Sequence, residues 1–252
     1  MKRRGAAPQR LATCTLLLAA ALTLPSAAQR KPPAQHAPVV RVIVTKQVYD
    51  PFRPWQKSRP GDAFGYGTRV GRDLVLVTEH LVRGHTLVQM QLSTSGEKHT
   101  ATVLMADPQV NLALIRPVDA AVLEHVPQLA PRDATLPGSG LEVLQFDKTR
   151  EVQAGPATVL QTSMQALPFA QYAALVCDVL TDINVNGEGA PVVREGQLAG
   201  IVIAYSAGER TAKMIPSGVI SQFLADAAAP PYRGFSSAGF TWDALVDPAK
   251  RA

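Results

Sequence analysis

His80 is the first candidate for chemistry, because an imidazole can act as a general base near neutral pH or ligate a metal ion. It directly follows Glu79, and His85 and His99 lie in the next segments of the chain. These residues do not form the H-E-x-x-H pattern that places two zinc-binding histidines on one helix face. We therefore expect no metal and no cofactor, and we interpret His85 and His99 as solvated turn or strand residues.

An imidazole base supports acyl transfer only with an oxygen nucleophile and an orienting carboxylate beside it. Ser139 stands between two glycines, which predicts a turn, and Ser206 precedes an Ala-Gly turn. Ser217 begins a helical pattern, where a serine is typical of the N-cap. None of these serines is flanked by residues that predict an oxyanion hole, so local pattern alone supplies no nucleophile.

The elements that must position these side chains are predominantly strands. The chain has 252 residues, 46% hydrophobic and 18% charged, with 20 Pro and 18 Gly. Short runs rich in Val, Leu and Thr, separated by Gly, Pro or Asp, predict strands. They cover residues 39–45, 67–70, 74–78, 86–92, 100–105, 112–116, 141–146, 155–161, 174–179, 190–194, 197–204 and 214–215. Residues 217–227 have helical spacing. This order predicts a sandwich or closed barrels.

Two further regions are predicted to be irregular. Residues 50–62 contain three prolines and are interpreted as a long loop, inside which Trp55 is expected to pack. Residues 120–137 are also rich in proline and could link two halves of the chain.

Four segments occur in the order of a known family pattern. They are Gly65-Tyr66-Gly67-Thr68 with Thr78-Glu79-His80-Leu81-Val82, then Ala106-Asp107-Pro108 with Asn111-Leu112-Ala113-Leu114-Ile115, then Asn184 to Val192, and Ile215-Pro216-Ser217. Over residues 39–227 the chain resembles the HtrA/DegP branch of trypsin-like serine proteases. The resemblance implies an all-β fold: a trypsin-like double antiparallel β-barrel with a C-terminal helix. Barrel one is expected at about 39–127 and barrel two at about 136–227, with the catalytic positions in the cleft between them.

The resemblance also shows that two catalytic positions are substituted. His80 takes the position of the base, Asn111 that of the family's Asp, and Glu188 that of its nucleophilic Ser. Asn111 cannot balance an imidazolium charge, and the Asp→Asn change in a serine protease costs about 10⁴ in kcat. Without the serine the covalent route is lost. We expect Glu188 to face His80 across the cleft.

The loop before the nucleophile position is the second part of the implied site. Asn186, Gly187 and Gly189 occupy its oxyanion-loop positions, and Ala190 replaces the second of two paired glycines. The resulting hypothesis is a pseudoprotease that binds a peptide or unfolded protein, or regulates a related active protease. The alternatives are an active hydrolase with an altered triad and a structural envelope component.

The N-terminus predicts export. Residues 1–28 have a basic start, an apolar run and small residues before a cleavage point after Ala28, which is typical of a secretory signal peptide rather than a stable membrane anchor. The segment holds four basic residues and no acidic residue, so removing it lowers the formal net charge from +5 to +1. That balance does not favour nucleic acid as a partner. Cys177 lies in an apolar run and is interpreted as a core residue.

The C-terminal segment is the last region with a family counterpart. In the HtrA family a PDZ domain usually follows the protease domain. At the opposite end of the domain, residues 29–38 are expected to be a flexible lead-in before the first strand. Residues 228–252 are expected to be a linker with an incomplete PDZ-like start or a mobile tail that includes Trp242. The 19 residues from Gly234 to Ala252 are too few for an ordinary domain, which has roughly 50 residues or more.

Overall fold

The fold consists of short antiparallel strands and ends in a helix. A computed structural model describes residues 37–92, 96–132, 140–167, 170, 173–229 and 231–235. The strands in these residues are β1 (Val39–Lys46), β2 (Tyr49–Asp50), β3 (Arg53–Lys57), β4 (Gly61–Arg69), β5 (Val75–Val77), β6 (His85–Gln91), β7 (Lys98–Asp107), β8 (Leu112–Pro117), β9 (Gly140–Phe146), β10 (Val152–Ala166), β11 (Ala173–Thr181), β12 (Pro191–Arg194), β13 (Gln197–Ser206) and β14 (Thr211–Pro216). The helices are α1 (Glu79–Val82), a 3₁₀ turn (Ala120–Leu123) and α2 (Ser217–Ala228).

The first barrel closes in the order β1-β4-β5-β8-β7-β6. Its core follows the two-residue period of a strand, in which alternate side chains point to the same face. Val40, Val42 and Val44 of β1 are fully buried inside the barrel. On β8, Ala113 and Ile115 belong to the same core. The barrel therefore fixes the strand that directly follows Asn111.

The second barrel closes in the order β10-β11-β14-β13-β12-β9. Val143, Val192 and Met214 from three of its strands are fully buried in one cluster. Cys177 on β11 lies in that cluster with no exposed surface, which confirms its prediction as a core residue. Its Sγ is 3.2 Å from Thr162 Oγ1.

The two barrels and α2 share a third cluster. Leu112 and Leu114, the outward-facing residues of β8, pack there with Leu198 of β13 and with Ile220 and Phe223 of α2. Both faces of β8 are therefore buried, one against its own barrel and one against the second barrel. Neither helix in the described part of the chain is long and apolar enough to cross a membrane.

The predicted all-β double barrel with a C-terminal helix is confirmed. Each predicted strand overlaps an observed one, and the predicted helix at 217–227 matches α2. The loop prediction for residues 50–62 is wrong, because β2 and β3 form a two-stranded hairpin there. Proline is tolerated in such a strand because it pairs on only one side. Trp55 does not pack inside this segment and is 81% exposed.

The chain after α2 returns to the barrels. The ring of Tyr232 lies edge-on to Phe223, with centroids 6.0 Å apart, and its hydroxyl donates a hydrogen bond to Asp107 Oδ2. Phe235 packs against the shared cluster. Trp242 and the predicted signal segment lie outside the described residues.

Candidate functional site

His80 lies in helix α1 at the mouth of the cleft, and hydrogen bonds to residues of other elements hold its backbone. The N–H of His80 donates to Asn111 Oδ1 at 2.8 Å, and the N–H of Glu79 donates to the Asn111 carbonyl at 3.2 Å. The carbonyl of His80 accepts a hydrogen bond from Lys46 Nζ at 2.8 Å. Asn111 and Lys46 therefore set the position of His80 without using its ring.

A partly buried ion pair between Glu79 and Arg83 stabilises this short helix. Glu79 is only 6% exposed, and its carboxylate accepts three hydrogen bonds from Arg83, the shortest at 2.6 Å. These bonds raise the pKa of Arg83 above its usual value. Four residues is too short for a helix that is stable by itself, so the pair and the contacts of Asn111 account for its order.

The ring of His80 faces a carboxylate across the cleft. His80 Nδ1 lies 3.3 Å from Glu188 Oε1, which confirms the expected pairing of these residues. Glu188 is the more enclosed partner, with its side chain 20% exposed against 47% for His80. The ammonium of Lys46 is attracted to the same carboxylate. Burial lowers the pKa of Lys46 below its usual value, and the charges of Glu188 and Glu79 oppose that shift.

Asn111 serves the backbone of α1 rather than standing as a charged neighbour of the ring. It has φ 54°, in the left-handed region that asparagine tolerates better than most residues. This conformation turns the chain from the end of β7 into β8 and aims both its carbonyl and its amide oxygen at α1. An amide has no net charge, so it can position the helix but cannot stabilise an imidazolium.

The loop before Glu188 is held by hydrogen bonds of both the backbone and the side chain of Asn186. The backbone N–H of Asn186 donates to Gln145 Oε1 at 3.0 Å. Its side chain accepts from the Tyr66 hydroxyl at 2.5 Å and donates to the Phe146 carbonyl at 2.9 Å. The Tyr66 hydroxyl also donates to the Phe146 carbonyl at 3.2 Å. Burial raises the pKa of Tyr66, while the hydrogen bonds of its hydroxyl to Phe146 and Asn186 oppose the shift.

This arrangement bears on oxyanion binding. In a trypsin-like site the oxyanion is bound by the N–H groups of the nucleophile residue and of the residue two before it. The sequence resemblance predicts these positions at Glu188 and Asn186. Because the N–H of Asn186 donates to Gln145, one of the two donors is already engaged inside the protein.

Gly189 is required by close packing between the barrels. It has φ 82°, and a Cβ atom there would lie 2.1 Å from the Tyr66 carbonyl oxygen. Its N–H donates to the Val202 carbonyl at 2.7 Å, and the N–H of Tyr66 donates to the Glu188 carbonyl at 2.7 Å. Gly187 lies on the open side of the same loop, where it lines a cavity. These hydrogen bonds hold the backbone of Glu188 and Gly189, and the backbone in turn positions the Glu188 carboxylate.

Two cavities meet at His80 and Glu188. One, of about 380 Å³, extends over Gly187 toward Phe64 and Tyr205. The other, of about 340 Å³, extends toward Asn111, Leu167 and Lys213. Ile203 and Ala204 of β13 line both cavities. The cleft thus has a charged centre and apolar walls.

Strand β13 presents a backbone edge to this cleft. Its pairing with β12 ends at Ile201, and the N–H of Val202 donates to the Ala190 carbonyl. Its pairing with β14 continues to Ser206 on the other side. Within the described residues, the segment from Ile203 to Tyr205 therefore has one edge facing the cavities.

The structure brings His80, Glu188 and Asn111 into one cleft, and neither Ser206 nor Ser217 lines its two cavities. Ser206 ends β13 on the surface, and Ser139 lies outside the described residues. The N-cap prediction for Ser217 is wrong. Pro216 takes that position, and Ser217 is the first helical residue. No cluster of His, Cys, Asp and Glu suited to a metal is found among the described residues.

Three residues of the site escaped the sequence interpretation. Gln145 and Lys46 lie in ordinary strands, and neither belongs to a motif that marks it as part of the site. Tyr66 lies between Gly65 and Gly67, and the glycines of this motif, not the tyrosine, carried the family resemblance. The only sequence signal for Gln145 was a polar residue between the apolar Leu144 and Phe146. In the structure its side chain is buried, with 2% exposure.

Comparison with curated proteins gives one weak sequence relationship. No family model matches the chain. A protein of Plasmodium falciparum named "Serine protease DegP homolog" is 22% identical over 202 residues, which is 78% of this chain. The chain spans only 23% of that relative's length.

Comparison with solved structures is stronger in shape than in sequence. The active form of the Rv3671c protease from M. tuberculosis has a TM-score of 0.57 at 19% identity, covering 82% of this chain and 85% of that one. The HtrA-type protease AlgW with a decapeptide has a TM-score of 0.60 at 17% identity, covering 77% of this chain and 66% of that one. The chain therefore has the double-barrel fold of trypsin-like serine proteases, with HtrA-type proteases among its structural relatives.

Proposed function

We propose that this chain is a catalytically inactive HtrA-like domain that binds an extended peptide or unfolded segment in the cleft between its barrels. The observation that carries the proposal is the 3.3 Å contact between His80 Nδ1 and Glu188 Oε1. It places a carboxylate, instead of a hydroxyl, beside the imidazole.

The chemistry of that carboxylate argues against proteolysis. Attack by Glu188 on an amide carbon would form a mixed anhydride, which is less stable than the ester formed by a serine. The neutral amide of Asn111 cannot stabilise a protonated His80, and such a change alone costs about 10⁴ in kcat. The N–H of Asn186 is engaged by Gln145, which removes a donor for the oxyanion.

Binding remains possible because the features that hold a chain are separate from those that cut it. The edge of β13 from Ile203 to Tyr205 can pair with an extended peptide by adding a strand to the sheet. The cavities on both sides of Ile203 offer room for alternate side chains of such a strand. Structures of AlgW, which has the same fold, contain a decapeptide or a tripeptide. Residues 1–28 support export as the route to this partner.

The test is a binding assay that also detects cleavage. Fluorescent casein-derived peptides are titrated with the protein, and the peptides are then examined by mass spectrometry. We expect saturable binding with the peptides intact. Ala204→Trp fills both cavities from an exposed position, and we expect it to weaken binding at least tenfold. Leu104→Trp, at an exposed site on β7, is the matched control and should bind as the native chain does.

A second candidate is a hydrolase with an altered triad, which one contact favours. If His80 Nδ1–H donates to Glu188, the carboxylate orients the imidazole as in a triad, and the ring would have to act as the base through Nε2. In that case the peptides would be cut, and His80→Ala and Glu188→Gln would each abolish the cut. Binding without cutting supports the first proposal. Cutting that depends on His80 supports the second.

A further inference from the structure

The hairpin formed by β2 and β3 (residues 48–59) is an exposed aromatic surface on barrel one. All five residues of β3 are exposed. Phe52 at the turn is 93% exposed, Trp55 81%, Val48 65% and Tyr49 56%. Large apolar side chains grouped this closely on a protein surface mark an interaction site.

The hairpin is an ordered element that presents a defined face. Ser58 and Val48 exchange hydrogen bonds of 2.8 and 3.1 Å, and the Phe52 N–H donates to Asp50 Oδ1 at 2.8 Å. Tyr49 is paired with Lys57, whose ammonium lies 5.0 Å from the centre of the tyrosine ring. Within the described residues, the two strands of the hairpin pair only with each other, so the hairpin projects from the barrel.

Basic and aromatic side chains share one face of this hairpin. Alternate residues of a strand point the same way, so Arg53, Trp55 and Lys57 lie on the same face of β3. Tyr49 joins them through its pairing with Lys57. Residues 48–59 contain three basic side chains and one acidic side chain, Asp50. Tryptophan and tyrosine favour the interface between water and lipid, and lysine and arginine are attracted to anionic headgroups.

We propose that the β2–β3 hairpin docks this domain reversibly on an anionic lipid bilayer. Phe52 and Trp55 enter the headgroup region, and Arg53, Lys57 and Arg59 contact the phosphates. This contact is separate from a membrane anchor, because five side chains of one hairpin give shallow and salt-sensitive binding. It places the cleft near the membrane surface.

The shape of the hairpin favours a bilayer over other partners. A projecting hairpin with exposed aromatic side chains matches a soft interface, which needs no complementary pocket. Single-stranded nucleic acid also binds basic and aromatic side chains, but in a groove that follows several phosphates. Arg53, Lys57 and Arg59 lie instead on one projecting hairpin. The cleft between the barrels has the carboxylate of Glu188 at its centre, which does not suit a phosphate backbone.

Trp55 provides the test. The chain has two tryptophans, so Trp242→Phe leaves Trp55 as the sole tryptophan, which is excited selectively at wavelengths that tyrosine does not absorb. On phosphatidylglycerol vesicles we expect a blue shift of Trp55 emission and its quenching by brominated lipid. Phosphatidylcholine vesicles should cause neither, and about 0.5 M salt should weaken binding roughly tenfold by screening. Because the signal comes from Trp55 itself, binding through the predicted signal segment does not imitate it.

Variants then separate the contributions. Phe52→Ser should weaken vesicle binding, and Arg53→Glu with Lys57→Glu should weaken it at least roughly tenfold. Leu160→Ser with Met164→Ser, at half-exposed sites on β10, is the matched control and should leave binding unchanged. The proposal is overturned by Trp55 emission that vesicles leave unchanged, or by hairpin variants that bind as the control does. It is also overturned by a blue shift that grows with protein concentration without lipid, or by binding of a single-stranded oligonucleotide without binding of vesicles.

Discussion

The backbone N–H of Asn186 donates to Gln145 Oε1 across 3.0 Å. Gln145 is buried, and the same side chain donates to the Asn184 carbonyl at 3.0 Å. One glutamine therefore fixes the loop at two points and occupies the donor that a trypsin-like protease would aim at its oxyanion. Restoring the catalytic side chains alone would leave this contact in place.

Glu188→Ser combined with Asn111→Asp should therefore show little reaction with a fluorophosphonate probe. Adding Gln145→Leu frees the N–H of Asn186, and we expect labelling to accelerate by about 10²–10³-fold, the usual effect of one oxyanion donor. The measurement is the rate of covalent labelling, with circular dichroism to check the fold. The triple variant with His80→Ala is the control and should stay unlabelled. Equal labelling of the double and triple variants would contradict the role assigned to Gln145.

Asn111 should prove to be a structural residue of α1. Asn111→Ala removes the acceptor for the His80 N–H and places alanine at φ 54°, so we expect a loss of about 1–3 kcal/mol in the free energy of unfolding. Asn111→Asp keeps the acceptor and should unfold within about 0.5 kcal/mol of the native chain. Urea denaturation measures both. Similar losses in the two variants would show that the hydrogen bond is unimportant.

Gly189 and Gly196 form a matched pair for measuring the packing between the barrels. Both have positive φ, 82° and 75°, but a Cβ at Gly196 would meet open space, whereas one at Gly189 would lie 2.1 Å from the Tyr66 carbonyl oxygen. Gly196→Ala should cost about 1–2 kcal/mol from backbone strain alone. Gly189→Ala should cost at least about 3 kcal/mol, because overpacking adds to the strain. Equal losses in thermal or urea unfolding would rule out the steric contribution.

Tyr232 should make stability depend on alkaline pH. Burial and the hydrogen bond to Asp107 raise the pKa of Tyr232 well above its usual value of 10. Its stabilising contribution is therefore complete below pH 10 and decreases as the pH rises above that value, because only the unfolded chain then loses the proton. Tyr232→Phe should lower the free energy of unfolding at pH 8 by about 1–2 kcal/mol.

The same variant should lose less stability between pH 9 and pH 11 than the native chain, as measured by urea denaturation at each pH. Tyr49→Phe, on the exposed hairpin, controls for the loss of a hydroxyl and should match the native stability at pH 8. Parallel pH profiles of the native chain and Tyr232→Phe would contradict the assignment.

The sequence was sufficient to predict the strands because they carry a strong apolar pattern, while their arrangement in two barrels was predicted from the family resemblance. Val40, Val42 and Val44 alternate with outward-facing residues, and Leu112 to Ile115 form an apolar run because β8 is buried on both faces. The hairpin was missed because its residues are exposed, so no apolar period marks them. Its prolines are as typical of a loop as of a short edge strand.

The site was predictable only where a motif marked it. His80 and Glu188 could be paired in advance because each falls in a segment of the family pattern. The contact of Gln145 with Asn186 joins residues 41 positions apart and depends on a side-chain conformation, which no local pattern encodes. The hydrogen bonds from the backbone of α1 to Asn111 likewise depend on how the two segments meet in the fold. From the residue type of Asn111 alone, only the loss of a negative charge could be predicted.

Tyr66 belongs to β4 of barrel one, yet its N–H and its hydroxyl both bond to the loop of barrel two that carries Glu188. Part of the support for that loop thus comes from the other barrel. The cleft is therefore built by both barrels, and we expect it to become ordered late in folding, when the barrels dock. A mutation that loosens the docking would disorder the cleft while each barrel still kept its own hydrogen bonds. Selection on the cleft is for this reason also selection on the interface beneath it.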